Sequence, residues 1–74
     1  MKDLIIEYRD FKNGFVRKEY DTIMDFLNEM DSEDNRKSIK NDSYIHYKLF
    51  ENVHNQGFAE NVNKLCFILE QKLK

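Results

Sequence analysis

Residues 3–20, with the sequence DLIIEYRDFKNGFVRKEY, decide the fold class of this chain. The dipeptide Asn13-Gly14 is a strong signal for the tight turn of a β-hairpin, and the side chains after it are typical of a strand. Pairing across that turn would place Asp10 opposite Arg17, which is a favourable cross-strand pair. The stretch therefore predicts an N-terminal β-hairpin.

A helical alternative remains open for the same stretch. Its apolar side chains also recur at three- and four-residue spacing: Met1, Leu4, Tyr8, Phe11 and Phe15. In that case Gly14 would cap the C-terminal end of a helix. We favour the hairpin because a helix cap at Thr22 leaves little room for a continuous helix before it.

Two amphipathic helices are predicted further along the chain. The first covers residues 22–30, where Thr22 and Asp25 have the spacing of a capping box. Its apolar stripe is Ile23, Phe26, Leu27 and Met30. The second covers residues 58–73 and has a stripe of Phe58, Val62, Leu65, Cys66, Leu69 and Leu73.

Two segments are harder to assign. Residues 31–43 contain one apolar side chain, Ile39, and are predicted to be a polar linker or loop. Residues 43–56 permit either strand or helix, because their first half has the composition of a strand while Gly57 could end a helix. The chain as a whole, residues 1–74, is predicted to be a single small α+β domain, with an all-α arrangement of helical hairpins as the alternative.

Two of these segments resemble each other in sequence, and we call this similarity the internal echo. Residues 3–13 and 42–52 share Asp, Ile, Tyr, Phe and Asn at an offset of 39 residues, and each segment precedes a predicted helix. If the echo is structural, the two halves adopt the same structure and form two extended-then-helix units around one core.

The size of the chain limits what it can bury. A domain of 74 residues buries about 60% of the surface that its unfolded chain exposes, and its core supplies roughly 3–5 kcal/mol net. The single cysteine, Cys66, excludes an internal disulfide. Because small domains usually need a staple, a metal or a second subunit, a homodimer is an expectation.

Composition and the first residues bear on location. The chain is 41% hydrophobic and 35% charged, which is the balance of a soluble globular domain. No apolar run approaches the ~18 residues of a membrane span, and residues 1–7 are too short and too quickly charged for a signal peptide. We therefore expect a cytoplasmic protein that does not enter a membrane.

The acidic residues are concentrated in one block. Between Lys18 and Arg36 there is no basic residue, whereas seven acids occur there: Glu19, Asp21, Asp25, Glu29, Asp31, Glu33 and Asp34. The rest of the chain holds all 12 basic residues and the other seven of the 14 acids, so the net charge of −2 hides a dipolar distribution. No other feature of the sequence points outward to a partner.

Three of these acids line one face of the first predicted helix, because Asp21, Asp25 and Glu29 are spaced four residues apart. Like charges at that spacing destabilise a helix by about 0.2–0.5 kcal/mol per pair, and Glu29 lies at the end where the helix dipole disfavours an anion. The pattern indicates either an acidic docking surface or a solvated face balanced by nearby basic residues.

The sequence thus predicts a non-enzymatic protein-binding module, a small regulator or inhibitor that presents an acidic helix face to a basic partner surface. The expected partner is a basic protein, for example one that handles nucleic acid. The predicted partner-binding residues are Asp21, Asp25, Glu29, Asp31, Glu33 and Asp34, with Tyr20 and Met24 as apolar anchors. Abundant Asn, Lys, Ile, Phe and Tyr are typical of AT-rich bacterial genomes, which suggests an origin in a phage or other mobile element.

Two alternative functions remain open. Residues 36–48 combine basic and aromatic side chains, which suits single-stranded nucleic acid. An isoelectric point of ≈ 5.6 argues against direct nucleic-acid binding. A structural role in a homo-oligomer, through the helix of residues 58–73, is the other alternative.

No catalytic residue, metal-ligand set or cofactor site is predicted. His46 and His54 are eight residues apart, and a lone Cys66 on an apolar helical stripe is typical of a core residue. Gly14 and Gly57 are isolated and cannot form a phosphate-cradling loop. A chain of this length also has little room for an enclosed pocket, so we do not expect an enzyme.

Overall fold

The computed structural model describes residues 2–10, 14–39 and 44–74 and shows an α+β domain. Its elements in chain order are β1 (Leu4–Asp10), β2 (Gly14–Tyr20), α1 (Ile23–Glu29), α2 (Glu33–Ser38), β3 (Ile45–Leu49), β4 (Gln56–Ala59) and α3 (Val62–Lys72). The predicted α+β class and N-terminal hairpin are confirmed, and the all-α alternative is wrong.

The four strands form one antiparallel sheet with the order β2-β1-β3-β4. Strand β1 pairs with β2 on one side and with β3 on the other. The β1–β3 ladder pairs Leu4 with Leu49 and Glu7 with His46. This ladder joins the N-terminal half of the chain to the C-terminal half.

The register of the N-terminal hairpin differs from the predicted one, because Arg17 pairs with Glu7 rather than with Asp10. The observed register pairs Tyr8 with Val16, so Val16 and Tyr20 of β2 share the core face with Leu4, Ile6 and Tyr8 of β1. The predicted register is shifted by an odd number of residues and would have turned the apolar side chains of β2 to the opposite face. Burial of these side chains therefore decides the register.

Of the predicted Asn13-Gly14 turn, the structure describes only Gly14. Gly14 opens β2 with a φ of +72°, in the left-handed region that glycine adopts without steric cost. Asn13 lies outside the described residues, as do Met1 and Phe11 of the helical alternative.

The core lies on one face of the sheet, between the strands and the helices. The sheet contributes Leu4, Ile6, Tyr8, Ile45, Leu49 and Ala59, and the helical layer contributes Ile23, Phe26, Met30, Ile39, Val62, Leu65, Cys66 and Leu69. Side chains alternate between the two faces of a strand, so the residues between these core positions point away from the helices.

Polar side chains cap the N-termini of the helices. Thr22 Oγ1 accepts a hydrogen bond from the backbone N–H of Asp25 at 3.1 Å, as predicted for the start of α1. Asn61 Oδ1 accepts from the N–H of Lys64 at 2.8 Å and caps α3. The helix predicted for residues 58–73 therefore starts later than predicted, because its first two residues pair with β3 as part of β4.

Residues 31–43, predicted to be a polar linker or loop, contain the short helix α2 after the cap residue Ser32. Arg36 fastens this helix to both neighbours. Its guanidinium donates to the carbonyl of Met30 and, at 2.8 Å, to Oδ1 of Asn63. No residue within α2 is buried, and only its C-cap residue Ile39 enters the core, which explains why apolar periodicity gave no sign of this helix.

The internal echo of the sequence corresponds to a structural repeat. Each half begins with the order strand, strand, helix, and α2 is an additional element of the first half. The offset of 39 residues carries Thr22, the cap of α1, onto Asn61, the cap of α3. The same offset carries Glu7 onto His46, and these two residues pair with each other in the middle of the sheet. An approximate twofold relation between the halves therefore centres on the β1–β3 ladder.

The turn between β3 and β4 has a strained backbone. Phe50 and Glu51 have φ values of 56° and 51°, in the left-handed region that favours glycine. The N–H of Asn52 donates to the carbonyl of Leu49 at 3.0 Å and closes a turn with both strained residues at its centre. A turn with two left-handed central residues is a type I′ turn, which favours Asn-Gly at its centre.

Replacing the strained pair by Phe50→Asn with Glu51→Gly is expected to raise the free energy of unfolding by about 1–2 kcal/mol, because left-handed backbone costs ordinary residues roughly that much. The control, Phe50→Ala with Glu51→Ala, removes the same side chains but keeps two β-carbons in the strained conformation. Urea denaturation compares the three proteins. If Phe50→Asn with Glu51→Gly is no more stable than Phe50→Ala with Glu51→Ala, the turn does not store the strain we infer.

Two candidate interaction surfaces

The predicted partner-binding acids lie on the helical side of the molecule. We define the acidic helical surface as Asp21, Asp25, Glu29, Asp31, Glu33 and Asp34, all of which are exposed. Glu19, the seventh acid of the block, is separate because it lies on β2 and pairs with Arg17 at 3.0 Å on the opposite face of the sheet. The fold thus keeps six of the seven acids on one side.

Two carboxylates of the acidic helical surface form exposed ion pairs. Lys2 Nζ lies 2.6 Å from Asp21 Oδ1, and Lys37 Nζ lies 3.9 Å from Glu33 Oε1. The hydrogen bond from Lys2, followed by its charge, holds the pKa of Asp21 below its ordinary value. Since water and salt screen such pairs, they contribute little to stability.

A third carboxylate, Glu29, accepts a hydrogen bond from the Tyr20 hydroxyl, with 2.6 Å between the oxygens. The Tyr20 ring also packs edge-on against Phe26 of the core, with 5.2 Å between ring centroids. Burial, and after it the hydrogen bond to Glu29, raises the pKa of Tyr20 above its ordinary value of 10.0. This contact ties β2 to the end of α1, which gives a structural reason for an anion where the helix dipole disfavours one.

The other three acids of this surface, Asp25, Asp31 and Asp34, form no ion pair with any described residue. Asp25 and Asp34 lie in the first turns of α1 and α2, where the helix dipole favours an anion. Met24 is next to Asp25 and is 48% exposed, whereas Tyr20 is partly buried against the core. The surface therefore offers an apolar side chain and three carboxylates that no described cation pairs with.

A groove of ≈ 470 Å³ lies where α2 approaches α3. Its walls are Asp31, Glu33, Arg36, Lys37, Val62 and Asn63. Carboxylates and cations are mixed along these walls, and the guanidinium of Arg36 is already bonded to Met30 and Asn63. The groove thus presents no single charge to a ligand.

The second candidate surface is the sheet face opposite the core. We define the open sheet face as the odd-numbered residues of β1 and β2 with the even-numbered residues of β3 and β4. Phe15 and Phe58, on the two edge strands, are 70% and 67% exposed. Ile5 is buried at the centre of this face, between its register partners Glu19 and Lys48. Long side chains therefore cover its middle, whereas its edges present aromatic rings.

Both carboxylates of the open sheet face have partners. Arg17 Nη2 lies 3.0 Å from Glu19 Oε2, and His46 Nδ1 lies 3.3 Å from Glu7 Oε1. The same imidazole contacts the ring of Phe58, with 5.1 Å between centroids. The contacts of His46 connect side chains of β1, β3 and β4, whereas the Arg17–Glu19 pair lies within β2.

Two cations of the open sheet face, Arg9 and Lys48, form no ion pair with the described part of the chain. Together with Arg17 they make three cations against two carboxylates on this face. Sequence reasoning missed this surface. Two-residue alternation would have found Arg9 and Phe15 on one face, but only in the correct hairpin register.

Residues 36–48, the predicted alternative site for nucleic acid, are divided by the fold. Arg36 and Lys37 lie in α2 on the helical side. Tyr47 packs partly buried against the core, whereas Lys48 lies on the open sheet face. The described residues of this segment therefore do not form one continuous surface.

The remaining chemistry of the described residues is limited. None of their helices is long and apolar enough to cross a membrane, and they contain no group of three or more metal-binding side chains that could hold an ion. Cys66 is buried in the core, and this burial raises the pKa of its thiol.

No protein-family model, curated protein or solved structure gives a significant match to this chain. A function therefore has to be inferred from the two surfaces themselves. One is acidic and lies on the helices, and the other combines exposed rings with an excess of positive charge and lies on the sheet.

The contact between Tyr20 and Glu29 predicts a loss of stability in alkaline solution. Because the folded state raises the pKa of Tyr20 above its ordinary value of 10.0, the native protein keeps this proton when the unfolded chain loses it. The resulting stabilisation is complete below pH 10.0, the ordinary pKa, and it declines as the pH rises above that value. In urea denaturation between about pH 8 and pH 11, the free energy of unfolding should fall less steeply with pH in Tyr20→Phe than in the wild-type protein.

The matched control is Tyr44→Phe, which removes an exposed tyrosine instead. It should leave the decline of the wild-type protein in place. An equally steep decline for Tyr20→Phe would contradict the role of this contact.

Proposed function

We propose that this protein is a non-enzymatic binding module, a small regulator or inhibitor that docks through its acidic helical surface on a basic surface of a partner protein. The observation that carries the proposal is the sorting of charge: six acids share the helical side, and Asp25, Asp31 and Asp34 form no ion pair with a described residue. Unpaired carboxylates steer a basic partner toward this side and speed its association.

A stable interface also needs an apolar contact, because charge mainly sets the rate and selectivity of binding. Met24 suits this role, since it is exposed on α1 beside Asp25 and its flexible side chain adapts to an opposing surface. Tyr20 borders the same surface through its bond to Glu29, with its ring partly buried. Met24 is therefore the main anchor of the proposal and Tyr20 a support at its edge.

A partner whose basic surface normally holds nucleic acid fits this arrangement, because carboxylates can take the places of phosphates there. Action in the cytoplasm and an origin in a phage or other mobile element belong to the same proposal. A homodimer remains an expectation from the small size of the chain.

The test removes two charges that form no ion pair within the described residues, with Asp25→Asn and Asp34→Asn. The partner is captured from a bacterial lysate at low salt on immobilised wild-type and variant protein. We expect the variant to retain a basic protein at least about tenfold less well, because steering by surface charge changes association rates by ~10–1000-fold. Thermal unfolding checks that the variant is folded.

The matched control, Glu60→Gln with Glu70→Gln, changes the net charge equally at exposed positions before and within α3. It should retain the partner as the wild-type protein does. Equal retention by all three proteins, or no basic protein retained by the wild type, would contradict the proposal.

A further inference from the structure

The open sheet face lies on the opposite side of the sheet from the acidic helical surface and has no part in the proposed function. We propose that it binds single-stranded nucleic acid. Bases stack on Phe15 and Phe58, and phosphates lie against Arg9 and Lys48. This surface is distinct from the segment 36–48 that the sequence suggested, since it draws its residues from all four strands.

The two phenylalanines supply stacking platforms at both edges of the face. They are 70% and 67% exposed, and paired strands rather than loops carry them. Phe15 is the register partner of Arg9, and the Phe58 ring lies against the imidazole of His46. Each ring therefore has a cationic or imidazole group beside it, which is the combination that sequence-tolerant binders of single strands use.

The charge of the face is complementary to phosphate. Its two carboxylates are engaged by Arg17 and His46, at 3.0 Å and 3.3 Å. Arg9 and Lys48 have no ion pair with a described residue, so both are free to contact phosphates. The available charge of this face is thus positive, although the net charge of the chain is −2.

The dimensions of the sheet suit a short segment of single-stranded nucleic acid. Three strand spacings separate β2 from β4, and Phe15 lies two residues from Arg17 in the row that ends at Phe58. Standard sheet spacings then put the Cα atoms of Phe15 and Phe58 about 16 Å apart. A segment of roughly four nucleotides or more, the lower end of the site sizes known for OB folds, can reach both rings.

The acidic helical surface does not oppose this binding strongly. It lies beyond the sheet and the core, whereas charge effects fall off over about 8 Å at physiological ionic strength. The low isoelectric point describes the whole chain, whereas the local potential at the open sheet face is more positive.

Fluorescence anisotropy with labelled dT15 and rU15 in dilute salt tests the inference on the full chain. Phe15→Ala with Phe58→Ala should weaken binding by about tenfold for each ring removed. Arg9→Gln with Lys48→Gln should reduce the slope of log K against log salt by about 1.4, since each phosphate contact to a single strand contributes ~0.7. The second variant keeps both rings and provides a test even if the first fails to fold.

The matched control is Phe67→Ala, which removes an exposed ring from α3 on the helical side. It should bind both oligonucleotides as the wild-type protein does. No binding of either oligonucleotide by folded wild-type protein, or equal losses for Phe67→Ala, would overturn the inference. Sedimentation showing a dimer that Phe15→Ala with Phe58→Ala dissociates would also overturn it, because a second copy would then be the occupant.

Discussion

The antiparallel pairing of β1 with β3 is the contact on which the rest of the structure depends. Each half of the chain supplies two strands and a capped helix, with α2 added in the first half. Chains below about 40 residues usually need a disulfide, a metal or a partner to be stable, so we expect neither half to be stable alone. The central ladder joins the two halves into one sheet with one core. Its register places Ile6 opposite Tyr47 toward the helices and Glu7 opposite His46 away from them. A slip of one residue would exchange these faces.

The same constraint produces two surfaces of opposite character. All the described helices pack on one face of the sheet, so the carboxylates of α1, α2 and the adjoining turns collect on that side. Asp25, Glu33 and Asp34 lie in the first turns of α1 and α2, where the helix dipole favours an anion, so these carboxylates also stabilise the helices. The other sheet face keeps the exposed rings of Phe15 and Phe58 with Arg9 and Lys48, two cations that form no ion pair with a described residue. The two surfaces therefore lie on opposite sides of the sheet.

Local patterns predicted the elements that depend on local interactions. The capped helix α1 and the buried stripe of α3 follow from apolar spacing, and the N-terminal hairpin follows from strand-forming composition around Gly14. The start of α3 did not follow, because residues 56–59 become a strand only beside β3. Helix α2 escaped prediction since Arg36 anchors it through polar contacts. The contacts of the acids did not follow from local patterns, because Tyr20 and Lys2 reach Glu29 and Asp21 across nine and 19 residues of chain.

Native-state amide hydrogen exchange tests the central role of the β1–β3 ladder most directly. If that ladder holds both halves together, the slowest amides lie in β1 and β3, and their opening free energy equals that of global unfolding. The second strand and the helix of each half should then exchange no more slowly than these central amides. Two sets of amides, one in residues 4–29 and one in residues 45–72, that open with separate free energies would contradict the account.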